Sequence, residues 1–367
     1  MNIRIDKNEL LKAVKVAVRG VSQKSTLQIL RGIKLVAKSG YLYLTSTDLE
    51  LTIRTKVPCD ILEEGDCVIG EAKLLNDIVN KLPGGEISIK VADNKATIKS
   101  NGSRFTLVTD NAFDFPNVEC IEDGTAFDIE NKVLLEGIRK VVVAISDNDT
   151  RPVLTGSLLE VKDGNFTLVA LDGYRMAYFN KKGDFDFDIK AVIPKVALNE
   201  LSKIVNDVDV VKITLNEKVA SFQLGDTNLT TSLIQGQFFD YKALIKGDLK
   251  TRVNIDTREL QHGIERATIL SKEGENNLVR IQMTKDNLVL TANSQIGDIV
   301  ENMGIQEYTG ELISIAFNSK FLLDGLKSIS DESVNFYFSG RLNPAILKGV
   351  DSEEEFLYLV LPVRVNE

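Results

Sequence analysis

Residues 170–179, ALDGYRMAYF, place an acid, a glycine, an aromatic ring and an arginine in one short run. Such a run could form a catalytic loop or one wall of a docking site. A catalytic nucleophile would need a base, yet His262 is the only histidine of the sequence. A GxSxG run and a catalytic cysteine signature are also missing from it. The sequence therefore favours a non-catalytic binding protein over an enzyme.

The sequence also lacks the signatures of cofactor and metal sites. The sequence contains no GxxxxGK(S/T) run and no GxGxxG run, so a nucleotide would lack its glycine-rich cradle. Cys59, Cys67 and Cys120 are odd in number and show no CxxC spacing, which argues against a disulfide framework and a zinc site. We expect no cofactor and no bound metal.

Composition indicates a folded protein of two or three domains. Of the 367 residues, 43% are hydrophobic and 26% are charged. The opening residues show no signal-peptide pattern, and no window approaches the ~18 apolar residues of a membrane span. We therefore expect a cytoplasmic protein with no membrane partner. A formal net charge of −9 argues against a simple basic nucleic-acid-binding protein.

The elements that must position the opening run belong to a threefold internal repeat. Three stretches predict amphipathic helices with apolar residues four apart, and they begin at Asn8, Lys132 and Arg258. In the first two copies the segments after these helices match at an offset of 124 residues, and the matched pairs are Gly32 with Gly156 and Asp48 with Asp172. Alternating residues around KSG, KDG and KDN predict β-hairpins in all three copies.

Each copy then predicts a second helix and another hairpin. The second helices begin at Lys73, Ala197 and Lys320. A period this long indicates tandem domains rather than a solenoid. We therefore predict an α+β fold of three tandem domains, each with two helices on antiparallel sheets. Turn-rich joints place the domains at residues 1–122, 123–247 and 248–367.

Positive charge concentrates on the six predicted helices, which carry 15 Lys or Arg against 7 Asp or Glu. The helices are predicted at residues 7–20, 72–82, 131–145, 195–206, 257–269 and 319–329. On the first helix Lys12, Lys15 and Arg19 fall on one face. If the helices line one concave surface, that surface attracts phosphate without reading base sequence. We predict DNA contacts for these three residues.

The repeat and three motifs resemble the bacterial DNA polymerase III beta subunit, the beta sliding clamp family. The motifs are LDGYRMA at 171–177, GQFFDY at 236–241 and LVLPVRV at 359–365. The resemblance covers the whole chain. It implies three DNA-clamp domains per chain and a head-to-tail homodimer that forms a six-domain ring, with helices inside and sheets outside. It also implies a non-catalytic processivity factor that encircles double-stranded DNA.

The resemblance implies a hydrophobic cleft that takes short peptides, typically a Gln followed by Leu and Phe anchors. The expected partners are the replicative polymerase catalytic subunit, the clamp loader, and repair and translesion proteins. Within the cleft, Arg175 and Arg364 could donate to peptide carbonyls or to an acidic flank. The expected cleft residues are Leu154, Leu171, Gly173, Tyr174, Arg175, Met176, Phe239, Ala243, Leu244, Leu359, Leu361, Pro362, Val363 and Arg364.

The same resemblance implies an interface and further DNA contacts. The dimer interface would use Phe105 and Leu107 from an edge strand with Ile269 and Leu270 from the end of a helix. Further DNA contacts would come from Lys24, Asn148, Arg151, Pro152 and Val153. Two alternatives stay open from the residues alone. They are a tandem-repeat protein whose LDGYR loop holds a small ligand and a DNA-binding scaffold that forms no ring.

Overall fold

The structure is a computed structural model. It describes residues 1–22, 25–118, 121, 123–204, 208–245, 249–274, 277–350 and 355–364.

Six of the seven α-helices confirm the helices predicted from the sequence. The helices are α1 Lys7–Ala17, α2 Ala72–Lys81, α3 Asn131–Val141, α4 Lys195–Ile204, α5 Tyr241–Ile245, α6 Thr257–Ser271 and α7 Ser319–Leu326. The first and third end earlier than predicted, because the chain tightens there into the 3-10 turns Val18–Gly20 and Val142–Ala144. The short helix α5 was not predicted.

The strands fall into three series, one for each copy of the repeat. The first series is β1 Asn2–Asp6, β2 Ile33–Lys38, β3 Tyr41–Thr47, β4 Leu51–Pro58, β5 Asp60–Glu63, β6 Gly65–Ile69, β7 Glu86–Ala92, β8 Lys95–Ser100 and β9 Ser103–Asp110. The second is β10 Thr125–Glu130, β11 Gly156–Lys162, β12 Asn165–Leu171, β13 Arg175–Lys182, β14 Ile189–Pro194, β15 Val210–Leu215, β16 Val219–Leu224 and β17 Thr227–Ser232. The third is β18 Thr251–Asp256, β19 Leu278–Met283, β20 Asn287–Ser294, β21 Gly297–Gly304, β22 Glu307–Thr309, β23 Ser314–Asn318, β24 Ser333–Phe338, β25 Ala345–Gly349 and β26 Glu355–Val360.

Each copy builds the same two antiparallel ladders, which confirms the repeat. The first ladder runs β4-β3-β2-β6, β13-β12-β11-β14 and β21-β20-β19-β23 in the three copies. The second runs β9-β8-β7-β1, β17-β16-β15-β10 and β26-β25-β24-β18. The register repeats as well, since Ile33 pairs with Ile69 and Ser157 with Ile193, and each residue is matched 124 positions later.

The ladders of successive copies join edge to edge. Strand β4 of the first copy pairs with β17 of the second, and β13 of the second pairs with β26 of the third. These joints extend the ladders into a thirteen-stranded sheet and a nine-stranded sheet, beside a separate four-stranded sheet. Because every joint strand then has two neighbours, its backbone groups are satisfied along the shared register.

The chain forms two compact units. One holds Met1–Lys132 with Asn199–Leu233, and the other holds Val133–Leu198 with Ile234–Glu367. The first unit contains the thirteen-stranded sheet, and the second contains the other two sheets. The predicted domain limits after residues 122 and 247 stay a prediction.

Period-two burial explains which face of each strand meets the core. On β2 the side chains of Ile33 and Leu35 are buried, whereas those of Lys34 and Lys38 lie on the other face. The buried face packs with Leu10 and Val14 of α1 in one apolar cluster, so the helix covers this face of the sheet. The opposite face of the sheet is left polar.

Two glycines permit the close approach of neighbouring strands at matched positions. A Cβ on Gly32 would lie 2.6 Å from the Ile69 carbonyl oxygen, and one on Gly156 would lie 2.4 Å from the Ile193 carbonyl oxygen. Neither contact can relax without moving a backbone that the ladder holds. The 124-residue match of Gly32 and Gly156 therefore has a steric cause.

We expect Gly156→Ala to lower the free energy of unfolding by about 1–3 kcal/mol, because the added methyl displaces a central strand. Gly84→Ala is the control, since no atom lies within 4 Å of its added Cβ. That change should stay within about 0.5 kcal/mol. Chemical denaturation of both variants measures the difference, and equal stabilities would contradict the steric explanation.

Candidate peptide-binding site

The LDGYR run forms a tight turn between β12 and β13. The Asp172 Oδ1 atom accepts hydrogen bonds from the N–H groups of Tyr174 at 2.9 Å and Arg175 at 3.1 Å. Gly173 at the centre has φ +93°, a conformation that costs glycine least. Asp48 makes the equivalent turn in the first copy by accepting from Glu50 and Leu51. The aspartates 124 residues apart therefore share a turn-forming role.

Arg175 holds this turn to helix α7. Its Nε donates to Asp172 Oδ2 at 2.9 Å, and its Nη1 donates to Asp324 of α7. The guanidinium lies 4.5 Å from the ring centroid of Phe321, also on α7. Burial acts to lower the pKa of Arg175, but Tyr358, Asp324 and Asp172 together raise it above its usual value. The arginine stays charged and joins the second copy to the third.

Arg175 has little access to solvent in this position, because its side chain is only 9% exposed. Its ion-pair partners lie within the chain. We therefore assign it the role of positioning the turn, and its predicted hydrogen bonds to a bound peptide stay a prediction.

Tyr174 and the C-terminal segment meet beside the turn. The Tyr174 ring stacks on Phe321 with centroids 5.9 Å apart, yet the residue remains 62% exposed. Its carbonyl oxygen accepts from the Leu361 N–H at 2.8 Å. Further along, the Val363 N–H donates to the Ala316 carbonyl oxygen at 2.8 Å. These bonds fix the course of residues 361–364 along one side of the turn.

Four of the predicted cleft residues form an apolar floor. Leu154, Leu171, Met176 and Leu359 are at most 6% exposed and pack in a single cluster. The register places Met176 opposite both Leu171 and Leu359, on the adjoining strands β12 and β26. The joint between the second and third copies therefore brings these residues together. Burial removes most of their surface from any ligand, so their direct contact with a peptide stays a prediction.

Other predicted cleft residues, which we call the rim, keep apolar surface exposed. Phe239 is 42% exposed, Leu244 46% and Leu361 37%. The remaining members range from half-buried to exposed, and they are Gly173, Ala243, Pro362, Val363 and Arg364. A buried apolar floor with an exposed apolar rim is suited to a short peptide that inserts hydrophobic anchors.

Sequence reasoning missed the polar group beneath the rim. The Tyr241 hydroxyl donates to Glu160 Oε2 at 2.7 Å, and its ring lies 5.9 Å from that of Tyr178. Burial, and the nearby Glu355 and Glu160, raise the pKa of Tyr178 to about 12. Burial and the bond to Glu160 raise the pKa of Tyr241 as well. The GQFFDY motif contains Tyr241, but Glu160 lies 81 residues away, and only the fold pairs the two.

The predicted DNA contacts fall into two groups, one in each compact unit. Lys12 and Lys15 are exposed on α1, where Lys12 lies 3.2 Å from Glu9. Arg19 follows α1 and lies 3.2 Å from Glu200. Lys24 lies outside the described residues. The prediction of DNA contact therefore stays open for all four.

The second group of predicted DNA contacts lies on the loop before β11. The Asn148 Oδ1 accepts from Thr150, and Pro152 begins a 3-10 turn that buries Leu154. The half-buried Val153 packs against the apolar floor. Arg151 is exposed, and its guanidinium lies 5.9 Å from the Phe239 ring centroid. The predicted DNA loop thus adjoins the predicted peptide site.

The predicted interface residues keep apolar surface exposed. On β9 Phe105 is 38% exposed and Leu107 is half-buried. On α6 Ile269 is 70% exposed and Leu270 is half-buried. Their pairing across a dimer stays a prediction.

Within the described ranges, no group of three or more His, Cys, Asp or Glu residues is arranged to hold a metal ion. The helices of that part of the chain are also too short or too polar to cross a bilayer. The single histidine, His262, is exposed on α6.

Comparison with known families covers nearly the whole chain. Residues 1–119, 128–240 and 242–364 match the N-terminal, central and C-terminal domains of the DNA polymerase III beta subunit. The chain belongs to the DNA polymerase III beta subunit family. The resemblance inferred from the repeat and its three motifs is confirmed.

Relatives within the family match from end to end. The beta sliding clamp of Halalkalibacterium halodurans is 34% identical over 99% of this chain and 100% of its own. The beta sliding clamp of Bacillus subtilis is 31% identical with the same coverage. Its crystal structure, described as a DNA polymerase sliding clamp, superposes with a TM-score of 0.95 over 100% of both chains. A Pseudomonas aeruginosa sliding clamp bound to griselimycin has a TM-score of 0.94 at 30% identity, again over 100% of both chains.

The ion pair at the turn yields a test of its structural role. Arg175→Gln should lower the free energy of unfolding by about 3 kcal/mol, because it leaves the Asp172 and Asp324 carboxylates without their shared cation. Asp324→Asn should cost about 1 kcal/mol, because Arg175 keeps its bond to Asp172. Lys327→Gln, at the residue that caps α7, is the control, because its ion pair with Glu265 is exposed. It should cost about 0.5 kcal/mol or less. A double-mutant cycle in which Arg175 and Asp324 act independently would contradict the assigned role.

Proposed function

We propose that the protein is a sliding clamp, a processivity factor that encircles double-stranded DNA and tethers replication and repair proteins. The observation that carries this function is the match to all three beta subunit domains along one chain. Relatives that match from end to end carry the name beta sliding clamp. The protein would act without catalysis, in the cytoplasm, and without a cofactor.

The apolar site at the second joint is the proposed docking point for partners. A peptide with Leu and Phe anchors would bury its side chains against the rim, at about 25 cal/mol per Å² of apolar surface. Partners of this kind would be the replicative polymerase catalytic subunit, the clamp loader, and repair and translesion proteins. Because they would share one cleft, they would bind in competition.

Strand edges support a head-to-tail dimer. Pairing of β17 with β4 and of β26 with β13 leaves β9 and β21 as the corresponding strands of the first and third copies. Strand β9 meets β6 only at Thr109 and Asp110, and β21 has β20 as its one neighbour among the described strands. In our proposal β9 pairs with β21 of a second chain and so repeats the internal joints. Two such contacts close a ring of six domains.

The proposed interface would cover exposed apolar side chains. Phe105, Leu107 and the 75% exposed Val108 lie on β9, while Ile269 and Leu270 end the partner helix α6. An unpaired strand edge with exposed apolar side chains is prone to aggregation. A partner strand paired to this edge would prevent that aggregation.

DNA would meet the basic helices. Lys12, Lys15, Arg19 and Lys24, with Asn148, Arg151, Pro152 and Val153 of the loop, are the proposed contacts. Ion pairs such as that of Arg19 with Glu200 would weaken the attraction of individual cations to phosphate. Weak, sequence-independent attraction suits a ring that must move along its duplex.

Light scattering should give about twice the 40.6 kDa mass of the chain. Phe105→Glu should shift the protein to the monomer mass, because it places a charge in the proposed apolar interface. Val210→Glu, which charges an exposed valine away from β9 and α6, should remain a dimer. A monomeric wild-type protein at micromolar concentration would contradict the dimer.

The wild-type protein, loaded on nicked circular plasmid by the clamp loader, should remain bound until a restriction enzyme linearises the DNA. It should then slide off the free ends. Retention on the linear product would instead indicate the DNA-binding scaffold that forms no ring.

For the cleft, Leu361→Ser should weaken binding of a synthetic Gln-Leu-Phe peptide tenfold or more in isothermal titration. The matched control is Leu62→Ser, which removes a leucine that is 58% exposed in the other unit. Equal affinity of both variants would show that the cleft lies elsewhere.

A further inference from the structure

A second groove lies at the joint between the first and second copies, and cations line it together with apolar side chains such as Val36, Phe115 and Ile121. Two adjoining depressions of about 330 and 380 Å³ share Tyr43 and Arg54 on the polar face of the thirteen-stranded sheet. Five cations line them, and they are Lys34, Lys38, Arg54, Lys56 and Lys212. One described carboxylate, that of Asp226, accompanies them, and it lies 3.3 Å from Lys56.

Strand register aligns part of this groove into a single row across six strands. Each residue pairs with the next on the adjoining strand, and the row consists of Lys212, Gln223, Asn228, Arg54, Thr45 and Lys34. We call these six residues the cationic row. Their chain neighbours, such as Ile53 and Leu35, point into the core, so the row faces away from α1.

The equivalent row at the second joint is apolar. Lys34, Thr45 and Arg54 correspond to Leu158, Val169 and Tyr178, each 124 residues later. These pair in the same order, and Tyr178 is followed by Leu357 as Arg54 is by Asn228. All four lie in the apolar cluster beneath the proposed peptide cleft. The same strand register therefore presents hydrophobic groups at one joint and cations at the other.

Several contacts hold the groove in a defined shape. Arg54 donates to the Val118 carbonyl oxygen at 2.8 Å and so holds the segment after β9 as one wall. Asn228 donates to Ser221 Oγ at 2.8 Å and to Gln223 Oε1 at 3.0 Å. These bonds order the polar side chains before any ligand binds, which reduces the entropic cost of binding.

The cations and rings of the groove favour carboxylates over nucleobases. The ammonium groups of Lys34, Lys38 and Lys56 lie 5.9, 5.5 and 4.8 Å from the ring centroids of Phe115, Tyr43 and Tyr41, respectively. A base that stacked on one of these faces would have to displace the ammonium group. In the described part of the chain, no ion pair joins Lys34 or Lys212 to a carboxylate, although Asp128 on β10 is the cross-strand partner of Lys212.

We propose that the cationic row is a second docking site, which binds an extended acidic peptide segment of a partner protein. Five strand spacings of ~4.8 Å span ~24 Å, the length of about seven extended residues. The peptide would cross the strands and be held by side chains, because β4 already has β3 and β17 on its two edges. Carboxylates would pair with Lys212 and Lys34, at the two ends of the row.

The probe is a fluorescein-labelled decaglutamate peptide, titrated with the full-length protein in fluorescence anisotropy at low ionic strength. The double variant Lys34→Gln and Lys212→Gln should bind it about threefold to thirtyfold more weakly than the wild type. The matched control is Lys90→Gln with Lys99→Gln, exposed lysines of the same sheet that lie outside the row. It loses the same charge and should bind like the wild type. Arg54 is left unchanged, because it also holds Val118.

Three results would overturn the proposal. They are equal weakening in both double variants, unchanged binding in the row variant, and tighter binding of a ten-residue oligothymidylate that depends on Lys34 and Lys212. The row variant should still remain on nicked circular plasmid and bind the Gln-Leu-Phe peptide. Loss of those activities in the wild type would contradict the clamp function and leave the anisotropy result standing.

Discussion

Antiparallel pairing between strands of different copies is the interaction on which the rest of the structure depends. The ladders β4 with β17 and β13 with β26 convert three small repeats into continuous sheets. Each joint satisfies two rows of backbone groups that would otherwise face water. It also fixes which side chains of two copies stand next to each other, because a slip of one residue would turn every side chain to the other face. Both grooves exist because of this register.

Local patterns were sufficient to predict most of the elements. Apolar spacing predicted α1 and α6, and the KSG and KDG turns predicted where hairpins close. The short helix α5 was not predicted, because five residues show too little periodicity. Contacts between copies were not predicted for another reason. The bond from Arg175 to Asp324 spans 149 residues, and no local pattern specifies the register that makes it.

The family resemblance predicted more of the apolar site than the residues alone could. Burial then divides the predicted residues, since Met176 is 1% exposed and lies in the apolar cluster, whereas Tyr174 is 62% exposed. Their contact with a peptide stays a prediction. The cationic row was beyond sequence reasoning, because its members come from β2, β3, β4, β15, β16 and β17 and are far apart along the chain. Only the order of those strands places Lys212 and Lys34 in one line.

The turns at Asp48 and Asp172 share a backbone design but differ in the residue three positions later. Arg175 occupies that position after Asp172 and reaches across to α7, whereas Leu51 occupies it after Asp48 and is buried without any charge. At the first joint, polar side-chain contacts between copies come from the paired strands instead, where Thr55 bonds Thr227 and Lys56 pairs with Asp226. One turn design therefore serves a strand-to-helix contact at one joint and accompanies strand-to-strand contacts at the other.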